Sequence, residues 1–367
     1  MRNLNILVDC HVFDQSYQGT TSYIKGLYLE LIKDKTKTFF FISNSYNLEE
    51  IFKNHENVKY LKYSSKNKFY RLLIELPKII KKNKIDYAHF QYIVPPIKKC
   101  KYIVTLHDVL FLDYPNYFPF LYKFSKKILY KFSAKRSDIV LTVSEYSKRQ
   151  IQKHFKIQNI YMTPNAIDKS FFDSYDKEKE KLNVKEKFGI ENYFLFVSRW
   201  EPRKNHDMLL KVFVENGYFK KYNLVFVGVQ AIQNKKYDDY YKTLSDEIQR
   251  KIFKLKMVTF QEILMITRAA RLSVYPSIAE GFGIPPLESL ASNIPTICSN
   301  TTAMSDFNFM KDFLFDPLDP ENLSNIVKVA LACKNFEDKK TYVKQNYNWE
   351  LGSKQLKKAI LENIITE

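Results

Sequence analysis

The sequence predicts an α/β protein made of two doubly wound, Rossmann-like domains. A chain of 367 residues is too long for one ordinary core. In both halves, apolar runs of strand length alternate with segments whose apolar residues have helical spacing. This alternation is typical of parallel sheets that are covered by helices on both faces. A polar stretch at 163–183 separates the halves, so we expect a first domain at 1–170 and a second at 171–350.

Each predicted element has its own support in the sequence. An apolar run predicts the first strand at 4–10, and helical spacing predicts a helix at 21–33. Ser144 is a suitable N-cap for a helix at 145–155, and Pro77 predicts a break or kink in a helix at 69–82. The other strands of the first half are predicted at 38–43, 87–92, 101–108 and 138–144. Those of the second half are predicted at 193–198, 222–228, 272–277 and 294–300, with helices between them.

Positive charge is concentrated in the first half of the chain. Residues 1–170 contain 29 Lys and Arg against 14 Asp and Glu, whereas residues 171–367 contain 29 against 26. This imbalance predicts an anionic partner for the first half, either membrane lipid or nucleic acid. The segments at 62–84 and 123–136 mix lysines with aromatic and aliphatic residues, as do helices that rest on an anionic bilayer. The alternative is a pair of solvated helices whose aromatic side chains point into the core.

The remaining composition favours a cytoplasmic protein. No run of eighteen apolar residues is present, so we expect no transmembrane helix, and the first residues lack the cleavage site of a signal peptide. The four cysteines, Cys10, Cys100, Cys298 and Cys333, have no CxxC spacing. We therefore expect reduced thiols and neither disulfides nor metal ligands.

The stretch AEGFGIPPLESL, at 279–290, holds the strongest candidate site. It follows a predicted strand, and open parallel sheets bind ligands at the carboxyl ends of their strands. Its two glycines permit a tight turn with exposed N–H groups, and its consecutive prolines suit the start of a helix. We expect Glu288 in the first turn of that helix. The turn and the helix N-terminus would bind an anion, while Glu280 and Glu288 would accept hydrogen bonds from hydroxyl groups.

Basic and polar residues follow other predicted strands. Arg199, Arg203 and Lys204 lie within six residues of each other after the first strand of the second half, and Arg and Lys are the usual partners of a diphosphate. Gly19 precedes the first helix and belongs to no GxGxxG dehydrogenase motif, so a nicotinamide enzyme is disfavoured. His107 follows a strand of the first half. Taken alone, Gly19 is more typical of a turn and His107 of a hydrogen-bonded structural histidine.

These features together predict the class of ligand. Cations and helix amides suit a central diphosphate, and the two flanking carboxylates suit hydroxyl groups at either end. A nucleotide-sugar has this arrangement, with a ribose on one side of the diphosphate and a hexose on the other.

At these residues the sequence resembles the retaining glycosyltransferases of the GT-B fold, the large family that includes glycogen synthase and many mannosyltransferases. The most specific match is the E-x7-E motif, EGFGIPPLE, and the segments SRWEPRKN, DIVLTVSEYSKRQI, IYMTPNAID and YNWE match further parts of the family pattern. VTLHDVLFLDYPNYFP looks most like the bacterial mannosyltransferases of surface-polysaccharide assembly. The chain departs from the pattern in its first loop, which has one glycine instead of two, and in Asn165–Ala166, which replaces Asn–Gly.

The resemblance implies roles for the charged residues. Arg199 and Lys204 would hold the diphosphate of the donor. Glu280 would contact the hydroxyl groups of the donor sugar, and Glu288 would contact the ribose. His107 would lie near the transferred sugar.

The resemblance also implies an architecture. Two Rossmann-like domains would face an interdomain cleft, and a C-terminal helix at about 351–367 would complete the first domain. The amides of Phe282, Gly283 and Ile284 would support the sugar and the phosphates. Gly19 would let the first loop approach the diphosphate.

By resemblance the protein is a retaining hexosyltransferase of surface-polysaccharide synthesis, with GDP-mannose as the favoured donor and UDP-sugars as the alternative. The acceptor would be lipid-linked or an oligosaccharide, and the enzyme would be peripheral on the inner face of the cytoplasmic membrane. No DxD element is visible, so we expect neither a metal nor another cofactor. The leaving diphosphate would be stabilised by Arg199, Lys204 and helix amides, and would help to deprotonate the acceptor.

Three alternatives remain open from the sequence. The first is a nucleotide-sugar epimerase on the same two-domain frame. The second is a phosphorylase, which would need a far longer chain and a lysine for pyridoxal phosphate. The third is a basic nucleic-acid-binding protein, which the formal net charge of +18 favours. No nucleic-acid recognition motif is present and the basic residues avoid the half with the E-x7-E motif, so we expect no nucleic-acid partner.

Overall fold

The computed structural model describes residues 3–14, 19–44, 46–53, 55–333 and 335–365, and the chain forms two compact units. The first unit comprises Met1–Ala166 and Asn348–Glu367, and the second comprises Ile167–Tyr347. The backbone N–H of Ile167 donates to the carbonyl of Tyr347 at 3.2 Å, which joins the two ends of the second unit. The second unit thus comprises residues 167–347, where the sequence predicts 171–350.

The first unit contains a parallel sheet of seven strands in the order β3-β2-β1-β4-β5-β6-β7. The strands are β1 (Leu4–Asp9), β2 (Lys37–Ser43), β3 (Val58–Lys62), β4 (Tyr87–Gln91), β5 (Lys101–Thr105), β6 (Ile139–Thr142) and β7 (Ile160–Met162). The two edge strands, β3 and β7, are missing from the sequence prediction. Both are short, and β3 carries lysines between its apolar residues because much of an edge strand is exposed to solvent.

Helices surround this sheet. They are α1 (Gly19–Leu31), α2 (Glu49–Phe52), α3 (Lys68–Tyr70), α4 (Leu76–Lys82), α5 (Leu110–Asp113), α6 (Phe120–Arg136), α7 (Glu145–Phe155) and α16 (Trp349–Ile365), with one turn of π-helix (Arg71–Glu75) between α3 and α4 and 3-10 turns at His11–Asp14 and Pro115–Tyr117. Pro77 lies just after the π-helical turn, so the segment 68–82 is irregular next to the proline but does not end there. The predicted cap of α7 is confirmed, since the Ser144 hydroxyl accepts a hydrogen bond from the N–H of Ser147 at 3.1 Å.

The last helix, α16, packs against α1 within the first unit. Trp349 begins this helix, and its indole ring fills the space where a side chain of Gly26 would lie. A Cβ atom built on Gly26 would stand 2.0 Å from the indole, so only glycine permits this contact. The C-terminal segment thereby becomes part of the first unit.

The second unit contains a parallel sheet of six strands in the order β10-β9-β8-β11-β12-β13. The strands are β8 (Tyr193–Val197), β9 (Asn223–Val227), β10 (Ile252–Leu255), β11 (Leu272–Tyr275), β12 (Thr296–Ser299) and β13 (Leu314–Phe315). The helices are α8 (Lys177–Phe188), α9 (His206–Glu215), α10 (Lys235–Lys242), α11 (Asp246–Gln249), α12 (Phe260–Ala269), α13 (Ile284–Ala291), α14 (Pro320–Ala332) and α15 (Glu337–Asn346), with 3-10 turns at Lys169–Phe172, Pro202–Lys204, Tyr218–Lys220, Thr302–Asp306 and Asn308–Phe313. The predicted strands at 193–198, 222–228, 272–277 and 294–300 are all confirmed.

Two further sequence expectations concern the whole chain. All four cysteines are free thiols; Cys10 and Cys298 are buried and the other two are partly buried. Within the described ranges, none of the helices combines the length and the hydropathy that crossing a bilayer requires.

Candidate active site

The second unit brings the basic turn and the E-x7-E motif together. The basic turn follows β8, which lies next to β11 in the sheet, and the motif follows β11. Gly228 lets the turn pass close to the end of β9, because a Cβ on this residue would stand 2.2 Å from the carbonyl oxygen of Ser198. Asn205 then closes the turn, since its buried side-chain amide donates to the carbonyls of Pro276 and Pro317 at 3.1 and 2.7 Å.

Glu280 is the centre of a cluster of charges. Its Oε1 accepts a hydrogen bond from Nζ of Lys204 at 2.5 Å, and its Oε2 lies 3.3 Å from Nη1 of Arg203. Nη2 of Arg203 also pairs with Oε2 of Glu201 at 2.7 Å. These four side chains are between 13% and 16% exposed, so solvent screens their interactions only weakly.

Burial and pairing have opposite effects on these groups. Burial raises the pKa of Glu280, but Lys204 and Arg203 outweigh it and hold this pKa below its usual value. Burial also lowers the pKa of Lys204, and the nearby Arg203 adds to the effect although Glu280 opposes it. The two cations share the Glu280 carboxylate and Arg203 also pairs with Glu201, so a negatively charged ligand at this position would be a further partner for Lys204 and Arg203.

Arg199 and Arg203 have different environments. The Arg199 side chain is 59% exposed, and its Nε lies 3.6 Å from Glu201. Arg203 is largely buried and donates from Nη1 to the carbonyl of Ala279 at 2.6 Å. Sequence reasoning counted Arg203 with Arg199 and Lys204 as cations suited to a diphosphate, but the resemblance assigned the diphosphate to Arg199 and Lys204 alone. In the sequence, Arg203 could be recognised only as a member of the same basic turn as Arg199. The folded chain shows that Arg203 is largely buried whereas Arg199 is exposed.

Thr302 holds the backbone of Glu280 and was also missed by sequence reasoning. Its hydroxyl accepts a hydrogen bond from the N–H of Glu280 at 2.9 Å and donates to the carbonyl of Thr301 at 2.8 Å. Thr302 has a φ of 51°, which is unfavourable for a β-branched residue. Backbone strain of this kind is concentrated at functional sites. The sequence signal that could have identified Thr302 was the pair of threonines after β12, at the carboxyl end of a strand.

The turn between the two glutamates has the predicted shape. Gly283 has a φ of 98°, and a Cβ on it would stand 3.0 Å from the side chain of Met304. The N–H groups of Phe282, Gly283 and Ile284 meet no hydrogen-bond acceptor in the part of the chain that the structure describes. Two of the first four residues of α13 are prolines, which have no N–H. The turn therefore supplies most of the free amides, and the helix end supplies fewer than a typical N-terminus.

Glu288 differs from its prediction in one respect. Helix α13 begins at Ile284, so Glu288 is beyond the first turn of the helix. Burial raises the pKa of Glu288 to about 7, and the charge of Asp168 adds to the effect. No cation pairs with the Glu288 carboxylate among the described residues, which leaves this carboxylate available to accept hydrogen bonds from a ligand.

His107 lies in the first unit, just beyond the end of β5. It is buried, and its Nε2 lies 2.6 Å from Oε1 of Gln91, the last residue of β4. Burial lowers the pKa of His107 to about 3, so the ring is neutral at physiological pH. A neutral ring that donates from Nε2 to Gln91 keeps Nδ1 as an acceptor. The histidine is thus both a hydrogen-bonded structural residue and a fixed polar group at a strand end.

Gly19 is the first residue of α1, and the loop that precedes it, at 15–18, lies outside the described residues. A Cβ on Gly19 would meet no atom of the described residues within 4 Å. The described part of the chain therefore does not require glycine at this position. Its proposed role, a close approach of the first loop to the diphosphate, stays a prediction.

The two units hold different parts of the predicted site. Arg199, Lys204, Glu280 and the turn of Phe282, Gly283 and Ile284 lie in the second unit with Glu288, whereas Gly19 and His107 lie in the first. In the described part of the chain, no three His, Cys, Asp or Glu side chains are arranged to hold a metal ion.

Family models match both units. Residues 176–349 match the model described as "Glycosyl transferases group 1", and residues 17–171 match "Glycosyltransferase Family 4". The chain is 32% identical over 234 residues to an O-antigen chain mannosyltransferase, RfbU, of Salmonella typhimurium, a match that covers 61% of this chain and 59% of that relative. It is 26% identical over 264 residues to O-antigen chain mannosyltransferase B of Escherichia coli, with 69% and 68% of the two chains covered.

Solved structures share the fold of the whole chain. Sucrose-phosphate synthase from Thermosynechococcus elongatus has a TM-score of 0.77 at 15% identity and full coverage of both chains. Anabaena Alr3699/HepE in complex with UDP and glucose has a TM-score of 0.66 at 15% identity, over 98% of this chain and all of that one. WaaG, a glycosyltransferase involved in lipopolysaccharide biosynthesis, has a TM-score of 0.64 at 13% identity, with 96% and 95% covered. At these identities the likeness establishes the fold alone.

Proposed function

Because this chain belongs to the group 1 glycosyltransferases and has the GT-B fold, we propose that it transfers a hexose from a nucleotide-sugar with retention of configuration. The product belongs to a bacterial surface polysaccharide such as lipopolysaccharide, O-antigen or capsule. The observation that carries the proposal is the contact of Lys204 and Arg203 with Glu280. These residues lie next to the turn at 282–284, whose N–H groups meet no hydrogen-bond acceptor among the described residues.

The donor binds to the second unit. Lys204, Arg203 and the amides of 282–284 receive the diphosphate, while Glu280 accepts hydrogen bonds from the transferred sugar and Glu288 from the ribose. Arg199 is an exposed cation that a bound diphosphate can recruit. The mannosyltransferase names of the relatives favour GDP-mannose. A solved neighbour in complex with UDP and glucose keeps UDP-sugars as the second candidate.

The chemistry is the departure of a nucleoside diphosphate. Negative charge develops on the leaving oxygen, and fixed cations with turn amides stabilise it without reorganisation. The departing phosphate helps to deprotonate the acceptor hydroxyl on the same face of the sugar, and configuration is thereby retained. His107 of the first unit keeps Nδ1 as an acceptor, and its contact with the transferred sugar stays a prediction from the resemblance. This route assigns no step to a metal or another cofactor, so activity is expected to survive dialysis against EDTA.

The enzyme acts at an anionic membrane. Large apolar side chains of the first unit are exposed beside lysines on α6 and on the helical segment 68–82. We call these residues the aromatic–basic surface: Phe69, Leu73, Ile74, Phe120, Leu121, Phe124 and Ile128, with the neighbouring lysines. This exposure argues against the alternative in which these side chains point into the core. Apolar groups among lysines suit the interface of an anionic bilayer, so the enzyme would be peripheral and cytoplasmic.

A donor panel tests the proposal. The thermal midpoint of unfolding is measured with GDP-mannose, UDP-glucose and UDP-N-acetylglucosamine, since a ligand that binds the folded state raises it. Release of nucleoside diphosphate is then measured with and without an acceptor, and the anomeric configuration of the product is read by NMR. An inverted product, or the absence of any shift and any release across the panel, would contradict the proposal. Acceptor-independent conversion of the sugar itself would favour the epimerase alternative.

A further inference from the structure

The second unit contains a cavity of about 690 Å³ at the amino ends of two neighbouring strands. Tyr193, the first residue of β8, lies in its wall together with Arg271, the residue directly before β11. The rest of the wall is formed mainly by one face of α8 and by the segment that leads into β8. A volume of roughly 300–1,000 Å³ is typical of small-molecule sites.

The candidate donor site lies at the other end of the same two strands. The basic turn follows β8 and the E-x7-E motif follows β11, whereas the cavity lies before both strands. Strand β8 has five residues, and a strand rises by about 3.3 Å per residue, so its length separates the two places by about 15 Å. A ligand in the cavity would therefore occupy a site that is distinct from the proposed site of the nucleotide-sugar.

The wall contains two acids, and each is paired with a lysine. Oε1 of Glu178 lies 2.7 Å from Nζ of Lys181, and Oε1 of Glu191 lies 2.7 Å from Nζ of Lys185. The exposed fractions of these four side chains are between 48% and 80%, so both ion pairs lie at the solvent side of the cavity. Each acid therefore has its own lysine as a counter-ion.

The other two bases of the wall, Lys177 and Arg271, have no acidic partner. In the described ranges, no carboxylate lies within 4.0 Å of their charged nitrogens, and both residues are partly buried. The Arg271 guanidinium is held in place, because its Nη2 donates to the carbonyl of Leu331 at 2.7 Å. Burial lowers the pKa of Lys177, and the charges of Lys181 and Arg271 lower it further although Glu178 opposes them. An anion that contacts both cations would relieve their repulsion.

Carbon atoms form another part of the wall. Ile190 and Ala269 are buried residues that line the cavity, and Leu182 lines it from α8 with 53% of its surface exposed. Tyr193 is also buried, and its hydroxyl already donates to the carbonyl of Ile266. The cavity therefore combines two unpaired cations with an apolar wall, which suits an anion that carries an organic group.

We propose that this cavity binds an organic phosphate monoester. Arg271 and Lys177 contact the phosphate, because a guanidinium can donate two parallel hydrogen bonds to phosphate oxygens and an ammonium adds a second positive charge. The organic group packs on Leu182 and Ile190. Sugar phosphates and nucleoside monophosphates share this chemistry. The inference goes beyond the proposed transferase function and does not rest on it, since the ligand binds without competing with the nucleotide-sugar.

The test measures binding of AMP, ribose 5-phosphate, adenosine and inorganic phosphate to the full-length protein by calorimetry. Lys177→Gln removes a cation that has no acidic partner to lose, so this variant should fold. Arg271→Gln removes the second cation, and circular dichroism verifies its folding. The charge-matched control is Lys179→Gln, at an exposed lysine of the same helix that does not line the cavity. Lys204→Ala removes a cation of the donor site and reports any nucleotide binding there.

We expect at least one of the two phosphate esters to bind about tenfold or more tightly than inorganic phosphate and adenosine, since both the charge and the organic group are recognised. Lys177→Gln and Arg271→Gln should each weaken this binding about tenfold or more, whereas Lys179→Gln and Lys204→Ala should retain it. Tighter binding of AMP than of ribose 5-phosphate would identify the ligand class as nucleoside monophosphates. Equal or weaker binding of AMP would identify it as sugar phosphates.

Two results would overturn the proposal. If inorganic phosphate binds as tightly as both esters, the cavity is a site for a free anion only. If folded Lys177→Gln binds the esters as tightly as the parent protein, the esters bind elsewhere. Thermal stabilisation by the nucleotide-sugars of the donor panel, measured in the same variants, reports the proposed function independently and should be unchanged in Lys177→Gln.

Discussion

Lys204 and Glu280 form an ion pair at 2.5 Å although 76 residues separate them in the chain. Arg203 contacts the same carboxylate, so Glu280 orients two cations. A diphosphate can replace this carboxylate as the partner of Lys204, which would release Glu280 towards the hydroxyl groups of the sugar. In the proposed donor site, the pair would couple binding of the phosphates to the placement of Glu280 as a hydrogen-bond acceptor for the sugar.

We expect Lys204→Ala to lower kcat by about 10²–10³-fold, because a preorganised charge on the leaving group is lost. Glu280→Ala should lower turnover similarly, since the sugar loses a hydrogen-bond acceptor and the cations lose their orientation. The measurement is the steady-state release of nucleoside diphosphate, with circular dichroism to verify folding. Full activity in a folded Lys204→Ala preparation would remove the diphosphate assignment.

Arg199 and Arg203 should respond differently to truncation. Arg203→Ala breaks contacts with two largely buried carboxylates, and removing one partner of a fully buried pair costs about 3–5 kcal/mol, which is an upper bound for these partly exposed groups. We expect a large fall in the free energy of unfolding as well as in activity. Arg199→Ala removes an exposed side chain, so its free energy of unfolding should stay within about 0.5 kcal/mol of the parent while the KM for the donor rises. Urea unfolding and donor titrations on both variants distinguish the two roles.

Glu288 should make stability depend on pH. Its pKa in the folded protein, about 7, lies above the usual 4.5 because burial and Asp168 disfavour the charged form. The folded state therefore retains a proton that the unfolded chain releases, and this stabilising effect is lost as pH rises from 4.5 through 7. We expect Glu288→Gln to have a flatter profile and to be more stable than the parent at pH 8 by on the order of 1–3 kcal/mol. Urea unfolding at pH 5 and pH 8 measures the difference, and parallel profiles for the two proteins would refute the assignment.

The aromatic–basic surface predicts selective recovery with liposomes. The protein should float with vesicles that contain anionic lipid and remain unbound with neutral vesicles, because lysines attract the anionic surface before the apolar side chains insert. Replacing Phe120, Leu121 and Phe124 by serine should reduce flotation several-fold. The control replaces the exposed Leu182 and Val329 of the second unit by serine. Equal recovery of the parent protein with anionic and neutral vesicles would exclude this mode of attachment.

Much of the fold could be predicted because its elements are local. The Ser144 cap, the apolar strand runs and the spacing of the E-x7-E motif depend on neighbouring residues, and all are present where expected. The edge strand β3 was missed because Lys59 and Lys62 interrupt its apolar residues and the strand is partly exposed. Glu288 was placed one turn too early because the start of α13 depends on the glycine turn before it.

The sequence by itself determined the central strands and most helices, the position of the acids and cations after strands, and the excess of positive charge in the first half. The tertiary structure decided which cation contacts which acid, which arginine is buried, and which aromatic side chains remain exposed on α6. Local periodicity reflects contacts between residues that are near each other in the chain. The strength of an ion pair and the pKa of each charged group depend instead on solvent exclusion and on partners that folding brings close. Those quantities exist only once strands distant in sequence, such as β8 and β11, lie side by side.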